Sequence, residues 1–266
     1  MRVLLALSLA LWAAAGLAQE ARSLRSLTTM EDSRGWASVG RLDVAGQGFC
    51  SAALISPDLV LTAAHCLYDG TGKPLALDRL TFRAGLRDGR EEAARGIRRA
   101  AAHPGFEIAS REGLAERVAF DLALLELDQP IRATRLSPYA VASAPGRGDA
   151  VAVVSYARGR EDRPTLEEAC EVIAVQENVL VLDCDVDFGA SGAPVFATLG
   201  GAPRVVSVIS AMADLDGRRV ALGPVLDREL LVVSRTLDSV TAEAVRRIGS
   251  GAATGSSGAK FVRPGD

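Results

Sequence analysis

The chain has 266 residues, 48% of them hydrophobic and 24% charged, with a formal net charge of −3. That length allows one large β or α/β domain, or two small barrels sharing an interface. The near balance of charge gives no electrostatic reason to expect nucleic acid as a partner.

The N-terminus reads as an address. Arg2 precedes an apolar stretch from Val3 to Ala15, and Gly16-Leu17-Ala18 offers small residues for cleavage. This predicts a secretory signal peptide over residues 1–18, because the apolar run is short for a bilayer span. After cleavage no stable membrane association is expected, and the mature protein is placed in the periplasm or outside the cell. Residues 19–34 are polar and turn-rich, as in a pro-segment or flexible arm.

Short β-type runs follow, punctuated by Gly, Pro and Asp. In chain order they predict strands over 37–44, 51–55, 59–62, 80–84, 122–127 and 150–155. Further strands are expected over 171–175, 179–183, 205–209 and 230–234. This density of brief strands suits a sandwich or a pair of barrels. Asp238-Ser239 can cap a helix that stops at Gly249, so a short C-terminal helix is expected over about 238–248. The Gly/Ser/Ala-rich residues 249–266 read as a flexible tail. Ala144-Pro145-Gly146-Arg147-Gly148-Asp149 separates two strand-rich halves, about 35–142 and 150–235.

Four cysteines, Cys50, Cys66, Cys170 and Cys184, would meet an oxidising compartment after export, where disulfides persist. They allow three connectivities, of which Cys50–Cys66 with Cys170–Cys184 is the local one. Each short loop closed in this way would contribute roughly 3 kcal/mol through the unfolded state. No close C-x-x-C pair occurs and the chain has two histidines, so no metal site is expected. Asp183, Asp185 and Asp187 alternate like the start of a calcium loop. Phe188 and Pro194, however, stand where such a loop needs Gly and Glu.

Acyl transfer by serine needs a hydroxyl, a base, a carboxylate that orients the base, and donors for the developing oxyanion. With two histidines the search for the base is short. His65 ends the run Leu61-Thr62-Ala63-Ala64, where small residues leave room for substrate and Cys66 offers a staple. His103 lies in His103-Pro104-Gly105, which indicates a surface loop and a structural role. Asp121 enters an apolar strand, where a lone carboxylate is costly unless paired, and a neutral His would pair it. Ser191 lies in Gly189-Ala190-Ser191-Gly192, a tight turn that can expose its hydroxyl. A nucleophile elbow of the α/β-hydrolase kind would want Gly at 193 and a His after the Ser, and neither is present.

These segments resemble the three motifs of trypsin-like serine endopeptidases. Ser51-Ala52-Ala53-Leu54-Ile55 with Leu61 to Cys66 is similar to the histidine motif. Phe120 to Leu127 is similar to the aspartate motif, and Gly189 to Pro194 to the serine motif. The order His, Asp, Ser agrees, and Cys184-Asp185 with Gly189 is similar to bacterial secreted members. The resemblance implies an all-β fold: two packed antiparallel Greek-key β-barrels with the active site in the cleft between them, and a short C-terminal helix. It implies a peptidase domain over 35–248, a catalytic set of His65, Asp121 and Ser191, and an oxyanion hole from the Gly189 and Ser191 N–H groups. It also implies a Cys50–Cys66 bridge. Asp185, Ser210 and Met212 would line the substrate pocket, with Asp185 favouring Arg or Lys. Protein or peptide substrates, no cofactor and a monomer are expected.

Two departures stand out. The family's Asp before the nucleophile is Ala190 here, and its Ile-Val-Gly-Gly start is replaced by Gly35-Trp36-Ala37-Ser38-Val39-Gly40. Activity is therefore expected to need no buried N-terminal ammonium. A secreted binding protein that keeps the fold without activity is the competing reading.

Overall fold

The computed structural model describes residues 24–108 and 113–251, with residues 241–251 as helix backbone alone. The predicted signal peptide, residues 19–23 of the arm and the tail beyond 251 lie outside the described residues. A two-residue strand, β1 (Arg25–Ser26), comes first, and beside it Leu27 is fully buried, so this part of the polar arm is docked.

Six strands then close a barrel: β2 (Val39–Val44), β3 (Gly48–Ser56), β4 (Leu59–Thr62), β5 (Leu80–Ala84), β6 (Ala93–Ala102) and β7 (Ala123–Leu127). Their order around it is β2-β3-β4-β7-β6-β5, all antiparallel, with β5 returning to β2. A short helix, α1 (Leu114–Ala119), precedes β7. Burial of both faces explains why β3, β4 and β7 are apolar at most positions. Ala52, Leu54, Val60, Leu125 and Leu127 point into the barrel, while Ala53, Leu61, Leu122 and Leu124 face the second half of the molecule.

The second half is an antiparallel sheet of β8 (Ala150–Ala157), β9 (Arg160–Gln176), β10 (Val179–Leu182), β11 (Pro194–Leu199), β12 (Ala202–Val208), β13 (Ala211–Leu215) and β14 (Arg218–Pro224). The order is β12-β11-β8-β9-β10-β14-β13, with β1 also paired to β9. The first barrel is closed by hydrogen bonding and the second is a sheet with two ends, a double-barrel arrangement. Between the halves, Trp36 and Tyr139 meet the Phe196 ring edge-on at 5.0 and 4.7 Å.

The C-terminal helix, α2 (Asp227–Gly251), begins eleven residues before the predicted start at 238 and takes in the expected strand 230–234. Leu230 to Val233 look like a strand because two of the four are β-branched. Leu226, Glu229, Val233 and Leu237 are nevertheless buried at helical spacing, and the helix packs on β6 and β7. Tertiary burial overrides local propensity here.

Candidate active site

His65 sits in a 3-10 turn (Ala64–Leu67) directly after β4, and Cys66 in the same turn is bridged to Cys50 on β3. His65 is thus fixed at two points on the closed barrel. The second bridge joins Cys170 to Cys184. Both clusters of metal-capable groups, Cys50-His65-Cys66 and Glu167-Cys170-Cys184, contain these bridged sulfurs, which are not free thiolates.

Asp121, between α1 and β7, is 3% exposed, and its carboxylate is fully engaged. The His65 backbone N–H donates to Oδ1 at 2.8 Å, His65 Nδ1 lies 2.7 Å from Oδ2, and Ser210 Oγ donates to Oδ2 at 2.5 Å. Three donors therefore converge on this one buried carboxylate. With Nδ1 donating to Asp121, Nε2 is the basic ring nitrogen, and the His65 side chain keeps 30% of its surface in solvent.

Ser191 is half-buried in a turn where every peptide unit is anchored. The Phe188 carbonyl accepts the Arg158 N–H (2.7 Å), and the Ala190 carbonyl accepts the Ala193 N–H (2.8 Å). The Gly189 carbonyl accepts the Ser51 hydroxyl (3.1 Å), and the Ser191 carbonyl accepts the Ser51 N–H (2.8 Å). The N–H groups of Ala190 and Gly192 donate to Asp187 (3.0 Å) and Ile209 (2.7 Å). Among the described residues, the Gly189 and Ser191 N–H groups are given to no backbone carbonyl.

Glycine is required twice in this turn. Gly189 has φ +94°, and a Cβ there would run into the Phe49 ring; Gly192 has φ +74°, and a Cβ would meet Thr62 Oγ1, the Ser51 carbonyl and the Ala63 amide. The Ser191 turn is therefore pressed against β3 and β4 of the first barrel. Among the described residues no hydrogen bond joins Ser191 Oγ to His65 Nε2. Such contacts are often long without substrate.

Of the expected pocket residues, Ser210 lies against Asp121 and shares a cleft of about 290 Å³ with His65, Phe106, Ile108, Arg117 and Ala211. Met212 is elsewhere, in a cavity of about 360 Å³ with Asp187, Phe188, Ala213, Asp214 and Arg219. Asp185 is exposed, and its N–H donates to the buried Glu167 carboxylate at 2.9 and 3.1 Å.

His103 differs from its expected surface loop. It is 6% exposed, stacks on Phe120 at 4.8 Å, accepts the Gly105 N–H at Nδ1, and holds Nε2 2.8 Å from Glu229 of α2. Burial lowers its pKa, outweighing the opposing pull of Glu229. The sequence reading missed this pair and also the role of Ser51. Glu229 is 126 residues from His103, and nothing about a serine beside Cys50 distinguishes its hydroxyl.

The sequence profile of the trypsin-like peptidase domain matches residues 46–202, more than half of the chain and the span that contains all three motifs. A modular serine protease of Drosophila melanogaster is 39% identical over 88 residues. That stretch is 30% of this chain and 13% of the relative, so this chain covers a small part of the relative's length. Profile, double-barrel fold and site geometry agree, and the chain belongs to the trypsin-like peptidase domain family.

Proposed function

We propose that the chain is an exported serine endopeptidase acting on proteins or peptides through Ser191, His65 and Asp121. The observation that carries the reading is the fully engaged Asp121 carboxylate, which orients His65 beside a turn with two undonated N–H groups. In this mechanism His65 Nε2 takes the Ser191 proton as Oγ attacks the scissile carbonyl. The Gly189 and Ser191 N–H groups receive the oxyanion, and the carboxylate of Asp121 stabilises the imidazolium. His65 then protonates the leaving amine, and water attacks the acyl-enzyme with His65 again as base.

The outer edge of β13 supports a docking mode. Among the described residues β13 pairs only with β14, and Ser210 immediately precedes it. An extended peptide can add there as a further strand, with its side chains read by the cavity around Phe188 and Met212. The two disulfides suit an oxidising compartment. Among the described residues no helix is long and apolar enough to cross a membrane.

The test is fluorophosphonate labelling of the mature protein beside Ser191→Ala and His65→Ala. Labelling that requires both side chains is the expected result. The missing Ser191–His65 hydrogen bond favours a second reading, a silent binding protein on the same fold. A folded wild type that takes no label would put that reading first.

A further inference from the structure

Four peptide units from Phe188 to Gly192 set where the Gly189 and Ser191 N–H groups point. Because a trans peptide holds its C=O and N–H antiparallel, fixing a carbonyl fixes the amide on the far side of the same plane. Backbone groups alone anchor the 188–189 unit, through Arg158, and the 190–191 unit, through Ala193. The other two carbonyls, of Gly189 and Ser191, are both held by one residue of the opposite barrel, Ser51.

Ser51 lies on β3, is fully buried, and has every polar atom engaged. Its N–H donates to Ser191 O at 2.8 Å, and its carbonyl accepts Thr62 Oγ1 at 2.9 Å. Its hydroxyl accepts the Tyr156 N–H at 2.9 Å. The single hydroxyl proton is shared between Gly189 O at 3.1 Å and Tyr156 O at 3.2 Å. Among the described residues, Ser51 Oγ is the one side-chain group that anchors these four units. Ala190, fully buried among Leu182, Val195 and Ile209, brings no charge that could do so.

We propose that Ser51 is a positioning residue: reaching across from the first barrel, it holds the Gly189 and Ser191 carbonyls and so keeps the two oxyanion donors convergent. The inference rests on the serine-peptidase reading for its effect on rate, but its structural half stands independently. Without the hydroxyl, the Gly189–Ala190 unit keeps only the Ala190 N–H bond to Asp187, and its loosened plane slackens the Gly189 and Ser191 donors on the units either side of it. Binding of a small reagent in the cleft is untouched, because Ser51 is sealed beneath the turn.

The experiment compares wild type with Ser51→Ala and, should that variant fold poorly, Ser51→Gly. Tyr139→Phe is the control. It removes another long-range bond, Tyr139 OH to Gly35 O at 2.8 Å, part-buried and away from the turn. Saturation kinetics with a fluorophosphonate separate the maximal inactivation rate from the half-saturating concentration. The expected result for the Ser51 variant is a maximal rate lower by roughly 10- to 100-fold, with half-saturation within about twofold of wild type. Its pH profile should keep the wild-type midpoint, and the control should keep the wild-type rate. Hydrogen exchange at the Ala190 and Gly192 amides should quicken in the Ser51 variant and not in the control. An unchanged maximal rate, or unchanged exchange at those amides, would overturn the proposal. If wild type takes no label at all, the peptidase reading fails by itself, and exchange alone decides whether Ser51 holds the turn.

Discussion

The two halves of the molecule contribute to one site by different means. The first is a barrel closed by hydrogen bonding all the way round. Its share, His65 and Asp121, is locked by a disulfide, by β4 and β7, and by a carboxylate that caps the His65 backbone as well as its ring. The second half is a sheet with ends, and its share, Ser191 and Ser210, lies on connections between strands. Beyond bonds within their own half, those connections lean on what the first barrel offers: Ser51 beneath the turn and Asp121 beneath Ser210. His65 is held by its own barrel alone, whereas the Ser191 turn is held by bonds within its own half and by Ser51 across the interface.

That contrast predicts different failures for changes on the two sides. The largest effect is expected from Asp121→Asn, within the first barrel. The amide would keep the volume but would present a donor as well as an acceptor to His65 and Ser210, favouring the wrong ring tautomer. Turnover should fall about 10⁴-fold with the fold intact. A loss under tenfold, measured on any peptide the wild type cleaves, would show that His65 does not depend on this carboxylate.

Next in size is Gly192→Ala, on the interface. The new methyl would require φ +74° and would collide with Thr62, Ser51 and Ala63, all in the first barrel. Backbone strain and overpacking together should cost about 3 kcal/mol or more of stability. Gly200→Ala supplies the comparison: its φ is +62° with nothing within 4 Å, so strain alone of about 1 kcal/mol is expected. Equal losses in urea melts would mean that the turn is not pressed against the first barrel.

The same division decides what the sequence could reveal. Strands 59–62 and 80–84 are visible to the residue because alternation and turn residues bound them on both sides. Strand β6 was missed: Ala93-Ala94-Arg95-Gly96-Ile97 followed by two arginines and three alanines has one β-branched residue in ten, and only the barrel makes it a strand. His65, Asp121 and Ser191 stand out as candidates in the sequence because each lies in a local motif, and the fold brings His65 and Asp121 into contact. Ser51, the His103–Glu229 contact and the Ser210–Asp121 bond were not read from local sequence, since each depends on partners brought together by the fold.

A smaller effect tests how α2 is tied to the first barrel. His103 accepts the Gly105 N–H and is neutral in the fold, with a pKa below its ordinary 6.5 because it is buried. As pH falls below about 6.5, the unfolded chain takes up a proton that the folded one does not, so stability declines until the folded value is reached. Within that window the slope is at most about 1.4 kcal/mol per pH unit. His103→Gln keeps a neutral donor towards Glu229 and should flatten this acid limb. Parallel stability–pH curves for the two proteins would remove His103 from the account.

The smallest expected effect is none, and it bears on the second half. A buried ammonium is tolerated only beside a carboxylate, since an unpaired charge in an apolar core is costly. The position before Ser191 is Ala190, fully buried among aliphatic side chains, so no carboxylate waits there for a chain terminus. The N-terminal segment is held by other means, through the β1–β9 pairing, the buried Leu27, and the Tyr139 hydroxyl on the Gly35 carbonyl. On the proposed peptidase reading, the processed chain acetylated at its N-terminus should therefore turn over peptides at the unblocked rate, within about twofold. Loss of turnover with the fold intact would mean that a charged terminus reaches the turn, and that the interface with the first barrel does not suffice to shape it.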